Sequence, residues 1–118
     1  MTGKEPEFFY CPECGNLIVS EKDVEVSCCG KKLDSLELKD CNERHQILAD
    51  KVEDEYFVHM THPMTKEHFM PYLAAIRDDG VEIKKLYPEQ NCEARFKIAK
   101  TQGFVAVCNL HGGFLLNI

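Results

Sequence analysis

Two cysteines separated by two residues, Cys11-Pro12-Glu13-Cys14, begin the part of the chain that can do chemistry. The spacing lets both thiolates converge on one ion, and Gly15 frees the backbone to turn so that its N–H groups approach the sulfurs. A second pair, Cys28-Cys29, is adjacent and is followed by Gly30. Neighbouring side chains on an extended segment point to opposite faces. Two adjacent ligands on one ion therefore require a bent backbone and distort the tetrahedron. A structural zinc ribbon normally supplies two Cys-x-x-Cys knuckles. The adjacent pair favours iron in a four-cysteine site, with zinc as the alternative.

A second constellation is made of imidazole. All five histidines lie from His45 onward. Taken singly, each reads as a surface or hydrogen-bonded residue. Together they form a pattern. His62-Pro63-Met64 and Glu67-His68 stand either side of a turn, and Cys108-Asn109-Leu110-His111-Gly112 puts a thiolate and an imidazole three residues apart at a strand end. His45 follows Glu43-Arg44. Four imidazoles and one thiolate suit a first-row transition metal. Five protein ligands in an octahedral field leave one position open, and a thiolate opposite that position donates electron density to the metal.

Composition narrows the function. Met1 to Glu7 is polar and the run Phe8-Phe9-Tyr10 ends at a cysteine, so no export signal is expected. Seven cysteines without such a signal read as metal ligands or catalytic groups in a reducing cytoplasm rather than as disulfides. A formal charge of −6 argues against nucleic acid as a partner, because phosphate binding draws on clusters of Lys and Arg. No stretch approaches the roughly 18 apolar residues of a membrane span.

The elements that must position these ligands read as strands. The cysteines concentrate early, which marks a small unit at 1–36. A second domain at 37–118 opens with a charged connector, Glu37 to Glu43. Within it, residues 93–98 alternate strictly, with Ala94, Phe96 and Ile98 on one face and Glu93, Arg95 and Lys97 on the other. Val81 and Ile83 alternate with Glu82 and Lys84 after the turn Asp78-Asp79-Gly80, which predicts a hairpin with Tyr72 to Arg77. Residues 55–60, 104–107 and 114–116 are further strands. Thr65 caps a single helical turn through His68. Short strands at this spacing predict an all-β fold with a sandwich of about seven strands.

Residues 8–33 resemble the iron site of desulforedoxin, a small rubredoxin-like protein, through Tyr10-Cys11-Pro12-Glu13-Cys14-Gly15-Asn16 and Cys28-Cys29-Gly30. The histidine motifs, with Glu43-Arg44-His45, resemble the catalytic domain of superoxide reductase. The whole chain thus resembles desulfoferrodoxin, the two-iron form of that enzyme. The resemblance implies an immunoglobulin-like β-sandwich and two irons per chain. It makes Cys11, Cys14, Cys28 and Cys29 the ligands of an auxiliary iron. His45, His62, His68 and His111 become the nitrogen ligands of the second iron, with Cys108 as its axial sulfur. The implied reaction is one-electron reduction of superoxide to hydrogen peroxide, with Glu43 closing the open position in the resting oxidised state and Arg44 attracting the anion. An external donor such as rubredoxin and a homodimer are implied as well.

The family motif has no place for His59, which is taken as a non-ligand, and Cys41 and Cys92 are taken as ordinary thiols. The chain departs from the family at Arg44, where a lysine is usual, and arginine holds its proton too tightly to act as an acid. The aromatic position after His68, commonly tryptophan, falls on Tyr72. Two other readings stay open: a non-catalytic iron redox protein of the same fold, and a structural zinc protein acting as an interaction module.

Overall fold

Short apolar runs punctuated by glycine and acidic turns fold into strands. A computed structural model describes residues 6–22, 24–40 and 45–118, so the expectations for Cys41, Glu43 and Arg44 lie outside the described residues. Among the described residues the fold is all-β, without a helix. None is therefore long and apolar enough to cross a membrane. The chain divides into two compact units, Met1–Glu37 and Leu38–Ile118.

In the first unit, β1 (Glu7–Tyr10) pairs antiparallel with β2 (Leu17–Ser20), and β3 (Val26–Cys28) with β4 (Lys31–Leu33). Buried Phe9, Cys11 and Leu33 form its core, with Ile18 and Val26 packed against them. Burying a large apolar side chain contributes only about 1.5–3 kcal/mol. A core of this size leaves the unit dependent on a further crosslink.

The second unit is a sandwich of two sheets. One has the order β10-β7-β6, from β6 (Leu48–Val52), β7 (Glu55–His59) and β10 (Glu93–Lys97). The other has the order β5-β12-β11-β8-β9, from β5 (Leu38–Asp40), β8 (Tyr72–Arg77), β9 (Gly80–Lys85), β11 (Thr101–Cys108) and β12 (Gly112–Asn117). Neighbours are antiparallel except β5 and β12, which run parallel. Val58 and Phe96 from the smaller sheet share one core with Leu73, Ala75, Phe104, Ala106 and Phe114 from the larger. Phe104 meets Tyr56 edge-on at 5.4 Å and Phe96 at 5.6 Å between ring centroids.

The sandwich has eight strands among the described residues, in line with the expected about seven. β5 and β6, whose short charged sequences show no clean alternation, are the two that the sequence pattern does not mark. Two expectations need correction. Ile98 lies beyond β10, where its N–H donates to the Asp54 carbonyl at 3.1 Å. The helical turn expected at Thr65 is a bend instead. The Thr65 hydroxyl accepts the His68 N–H at 3.1 Å, and the Thr65 N–H donates to the His68 carbonyl at 3.0 Å. That reciprocal pairing closes the segment in a geometry a helix does not have.

Candidate metal centres

The cysteine centre is built from two tight turns. After β1 the Gly15 N–H donates to the Cys11 carbonyl at 2.8 Å, and the Cys11 N–H to the Asn16 carbonyl at 2.9 Å. Gly15 has φ +75°, a conformation glycine adopts without the steric cost of a Cβ. The N–H of Cys14 points at the Cys11 sulfur and, with that of Glu13, holds its thiol down to about 7. The β3–β4 hairpin solves the problem of the adjacent pair. Cys28 is the partner of Lys31, and the two residues between them, Cys29 and Gly30, have φ of +53° and +75°. Positive φ at both central residues is the hairpin turn that matches strand twist. Here it also swings Cys29 towards the side that Cys28 faces.

The four sulfurs then converge. Cys14 and Cys28 lie 3.4 Å apart, Cys28 and Cys29 3.9 Å, and all four are within 4.8 Å of one another. Sulfurs arranged tetrahedrally about 2.3 Å from a cation lie about 3.8 Å apart, so the set fits one ion. Hydrogen bonds from neighbouring thiols, Cys14 first, push Cys29 up to about 12, and those from Cys14 and Cys11 raise Cys28.

The histidine centre gathers side chains from separate strands and loops. β11 ends in Cys108, and the three-residue turn Asn109-Leu110-His111 returns the chain to β12 through Gly112, at φ +84°. His62 and His68 sit on the loop between β7 and β8, and His45 precedes β6. Successive ring centroids are 5.1 Å apart for His45–His62, 4.7 Å for His62–His68, 5.0 Å for His68–His111 and 5.0 Å for His111–His45. The four imidazoles close a four-sided ring. The Cys108 sulfur lies 3.4 Å from His68 Nε2 and 3.4 Å from His111 Nδ1. Adjacent sulfur and nitrogen ligands of one cation lie about 3.1 Å apart, so these distances fit a shared ion. The donors of His45, His68, Cys108 and His111 fall within 4.8 Å of one another; His62 is outside that set and joins through its ring contacts.

Protonation states fit a metal as well. His62 Nδ1–H donates to the Pro63 carbonyl at 2.7 Å, which fixes the tautomer and leaves Nε2 with its lone pair. That Nε2 is buried and has no hydrogen-bond partner among the described residues. Burying an unpaired polar atom is costly, and a cation would satisfy it. His45 is 4% exposed and stacks on Phe114 at 4.1 Å with ring planes 7° apart. Burial, and then repulsion from His62, His111 and His68, lowers it to about 4, so its imidazole is neutral at pH 7. Burial lowers His62 too.

The remaining candidates lie elsewhere. His59 pairs with Asp50 at 2.8 Å and stacks on Phe57, away from the imidazole ring. Cys92 is a core thiol that burial pushes up to about 12. Glu43 and Arg44 are outside the described residues. Three residues that spacing alone does not mark also belong to the site. Phe114 carries the His45 ring. Lys39, its partner in the β5–β12 register, donates to the His111 carbonyl at 3.3 Å and lies 5.7 Å from the Phe114 ring centre. Asn109 ties the two ligand-bearing turns together. The only available sequence signal for Asn109 is its place between Cys108 and His111.

An all-β fold carrying one cluster of four thiols and another of imidazoles around a thiol defines a class of two-centre, cysteine- and histidine-based proteins. No family model matches the chain. It is 31% identical over 117 residues to the desulfoferrodoxin of Nitratidesulfovibrio vulgaris, covering 90% of this chain and 91% of that protein. It is 26% identical over 115 residues to a desulfoferrodoxin homolog of Archaeoglobus fulgidus, covering 90% and 92%. Its fold matches the crystal structure of the superoxide reductase from Treponema pallidum with a TM-score of 0.85 at 22% identity, over 98% of this chain and all of that one. The chain belongs to the desulfoferrodoxin family.

Proposed function

We propose that the chain is a superoxide reductase: superoxide, one electron and two protons give hydrogen peroxide at an iron held by His45, His62, His68, His111 and Cys108. The observation that carries this reading is the closed ring of four imidazoles with a thiol against it. Kinship with desulfoferrodoxins supports it. Bound by these five residues, a ferrous ion would supply the single electron that superoxide needs. Cys11, Cys14, Cys28 and Cys29 hold a second, auxiliary iron, and residues 1–36 and 37–118 act as the respective carriers of the two centres. An external one-electron donor of the rubredoxin kind restores the reduced state.

The chain's own residues prepare this chemistry. Burial holds His45 down to about 4, so its ring is neutral at pH 7, and burial lowers His62 in the same direction, which favours rings with lone pairs available as donors. The Pro63 carbonyl holds the His62 tautomer. Phe114 fixes the plane of His45 and closes the core side to water. Cys108, itself buried, offers sulfur from within the sandwich, while His111 is exposed and leaves a way in for a small anion. Superoxide is an anion and the chain carries a formal charge of −6, so local positive charge is needed to draw it in. Lys39 places an ammonium at the His111 rim, and Arg44 stands next to His45 in sequence.

The test is metal content and spectrum of protein purified without oxygen from iron-replete cells, followed by pulse radiolysis with superoxide. About two irons per chain, a thiolate-to-iron band from each centre and turnover of superoxide are expected. A colourless zinc protein would return the reading to a structural module, and two irons without turnover would make the chain an electron carrier.

A further inference from the structure

Asn109 follows Cys108 directly, so its backbone is fixed relative to the thiol. Three hydrogen bonds join it to the other ligand-bearing loop. Its Nδ2–H donates to the Glu67 carbonyl at 3.0 Å, its Oδ1 accepts the Phe69 N–H at 3.0 Å, and its own N–H donates to the Phe69 carbonyl at 3.2 Å. Glu67 and Phe69 are the two chain neighbours of His68. The amide therefore brackets His68 from both sides, and His68 Nε2 stands 3.4 Å from the Cys108 sulfur.

The chemistry of the side chain explains the residue type. An asparagine offers a donor and an acceptor on one short, flat group. Aspartate supplies only acceptors when ionised, and serine has one oxygen that cannot span both backbone groups. Beside the contact of His68 Nε2 with the Cys108 sulfur, the hydrogen bonds described above from the backbone of 67–69 to the 108–111 turn are those of Asn109; the Thr65 hydroxyl and the Met64 sulfur, which receive the His68 and Met70 N–H groups, hold the loop only to itself. We propose that Asn109 is a positioning residue that clamps both sides of His68 to the Cys108–His111 turn and so sets the reach of His68 to the shared ion. The inference rests on reading this cluster as a metal centre.

Outer-shell groups that orient metal ligands typically alter affinity by about 10- to 100-fold. The full chain, purified with both irons, is challenged with a ferrous chelator, and iron retention and the thiolate-to-iron bands are followed in wild type, Asn109→Ala, Asn109→Asp and Cys108→Ser. Asn109→Ala is expected to weaken iron at the histidine centre by about 10- to 100-fold and to shift its band, leaving the four-cysteine centre unchanged. Asn109→Asp keeps the acceptor for Phe69 and loses the donor to Glu67, so it falls between. A merely structural role would lower the melting temperature without moving the band. Wild-type retention and band in Asn109→Ala would overturn the proposal. If that variant does not fold, wild-type behaviour of Asn109→Asp would overturn it equally. Failure of the metal reading shows separately: wild type would lack a band that Cys108→Ser removes, and the clamp would then have no ion to serve.

Discussion

Cys11, Cys14, Cys28 and Cys29 come from two neighbouring turns, whereas His45, His62, His68, Cys108 and His111 are drawn from loops and strand ends across the sandwich. The cysteine centre is a product of local backbone conformation: two glycines and one cysteine at positive φ bring its sulfurs together. Its Cys14 and Cys29 are exposed. The histidine centre depends on long-range packing, with His45 stacked on a core phenylalanine and His68 held by a residue 41 positions further on in Asn109. Local geometry can be broken one turn at a time. A centre set by packing fails with its sandwich.

The largest expected effect comes from exchanging the ligands of one centre only. Cys108→Ser should remove the thiolate-to-iron band of the histidine centre and most of the activity, since a hydroxyl is a harder and poorer donor. Cys29→Ser should bleach the other centre and leave superoxide reduction largely intact. Visible spectra with pulse radiolysis of both variants read this directly, and loss of both bands in either variant would erase the distinction between the centres.

A middle-sized effect should come from beneath the imidazoles. Phe114→Ala removes a 1%-exposed core ring as well as the surface on which His45 lies. A buried Phe→Ala change costs about 3–5 kcal/mol. Thermal unfolding should shift downward, and chelator should strip the histidine centre faster while the cysteine centre keeps its iron. Equal loss from both centres would mean that the two units unfold as one.

The smallest effect concerns Lys39, an exposed cation that salt screens. Lys39→Ala should slow the second-order reaction with superoxide by up to about tenfold at low ionic strength, with the difference vanishing as salt rises. Indistinguishable rates at every ionic strength would show that Lys39 does not steer the anion.

The sequence made the ligand sets easier to read than their scaffolding. Cys-x-x-Cys and an adjacent pair mark the first centre because the chemistry sits within short segments. The β8–β9 hairpin and the inward Ala94 and Phe96 follow from alternation, and the structure has both. β6 was not legible, because Leu48 and Val52 point outward at 41% and 39% exposure while the inward position falls on Ala49. The pairing of β5 with β12 is parallel and three residues long, too short to leave a pattern. Lys39 and Phe114 meet only through that pairing, and Asn109 matters only because a distant loop folds against it. Contacts of this kind belong to tertiary structure, where spacing carries no signal.

The dispersion of the histidine ligands orders events during synthesis. Chains emerge from the ribosome at about 5–20 residues per second and domains fold as they appear. The first four cysteines are thus available to a metal about 4 to 16 s before His111 is joined to the chain. During that interval only the cysteine cluster has all its side chains, and the histidine cluster is complete only after the β11–β12 hairpin has formed. The two clusters are thus assembled in the order of their residues along the chain.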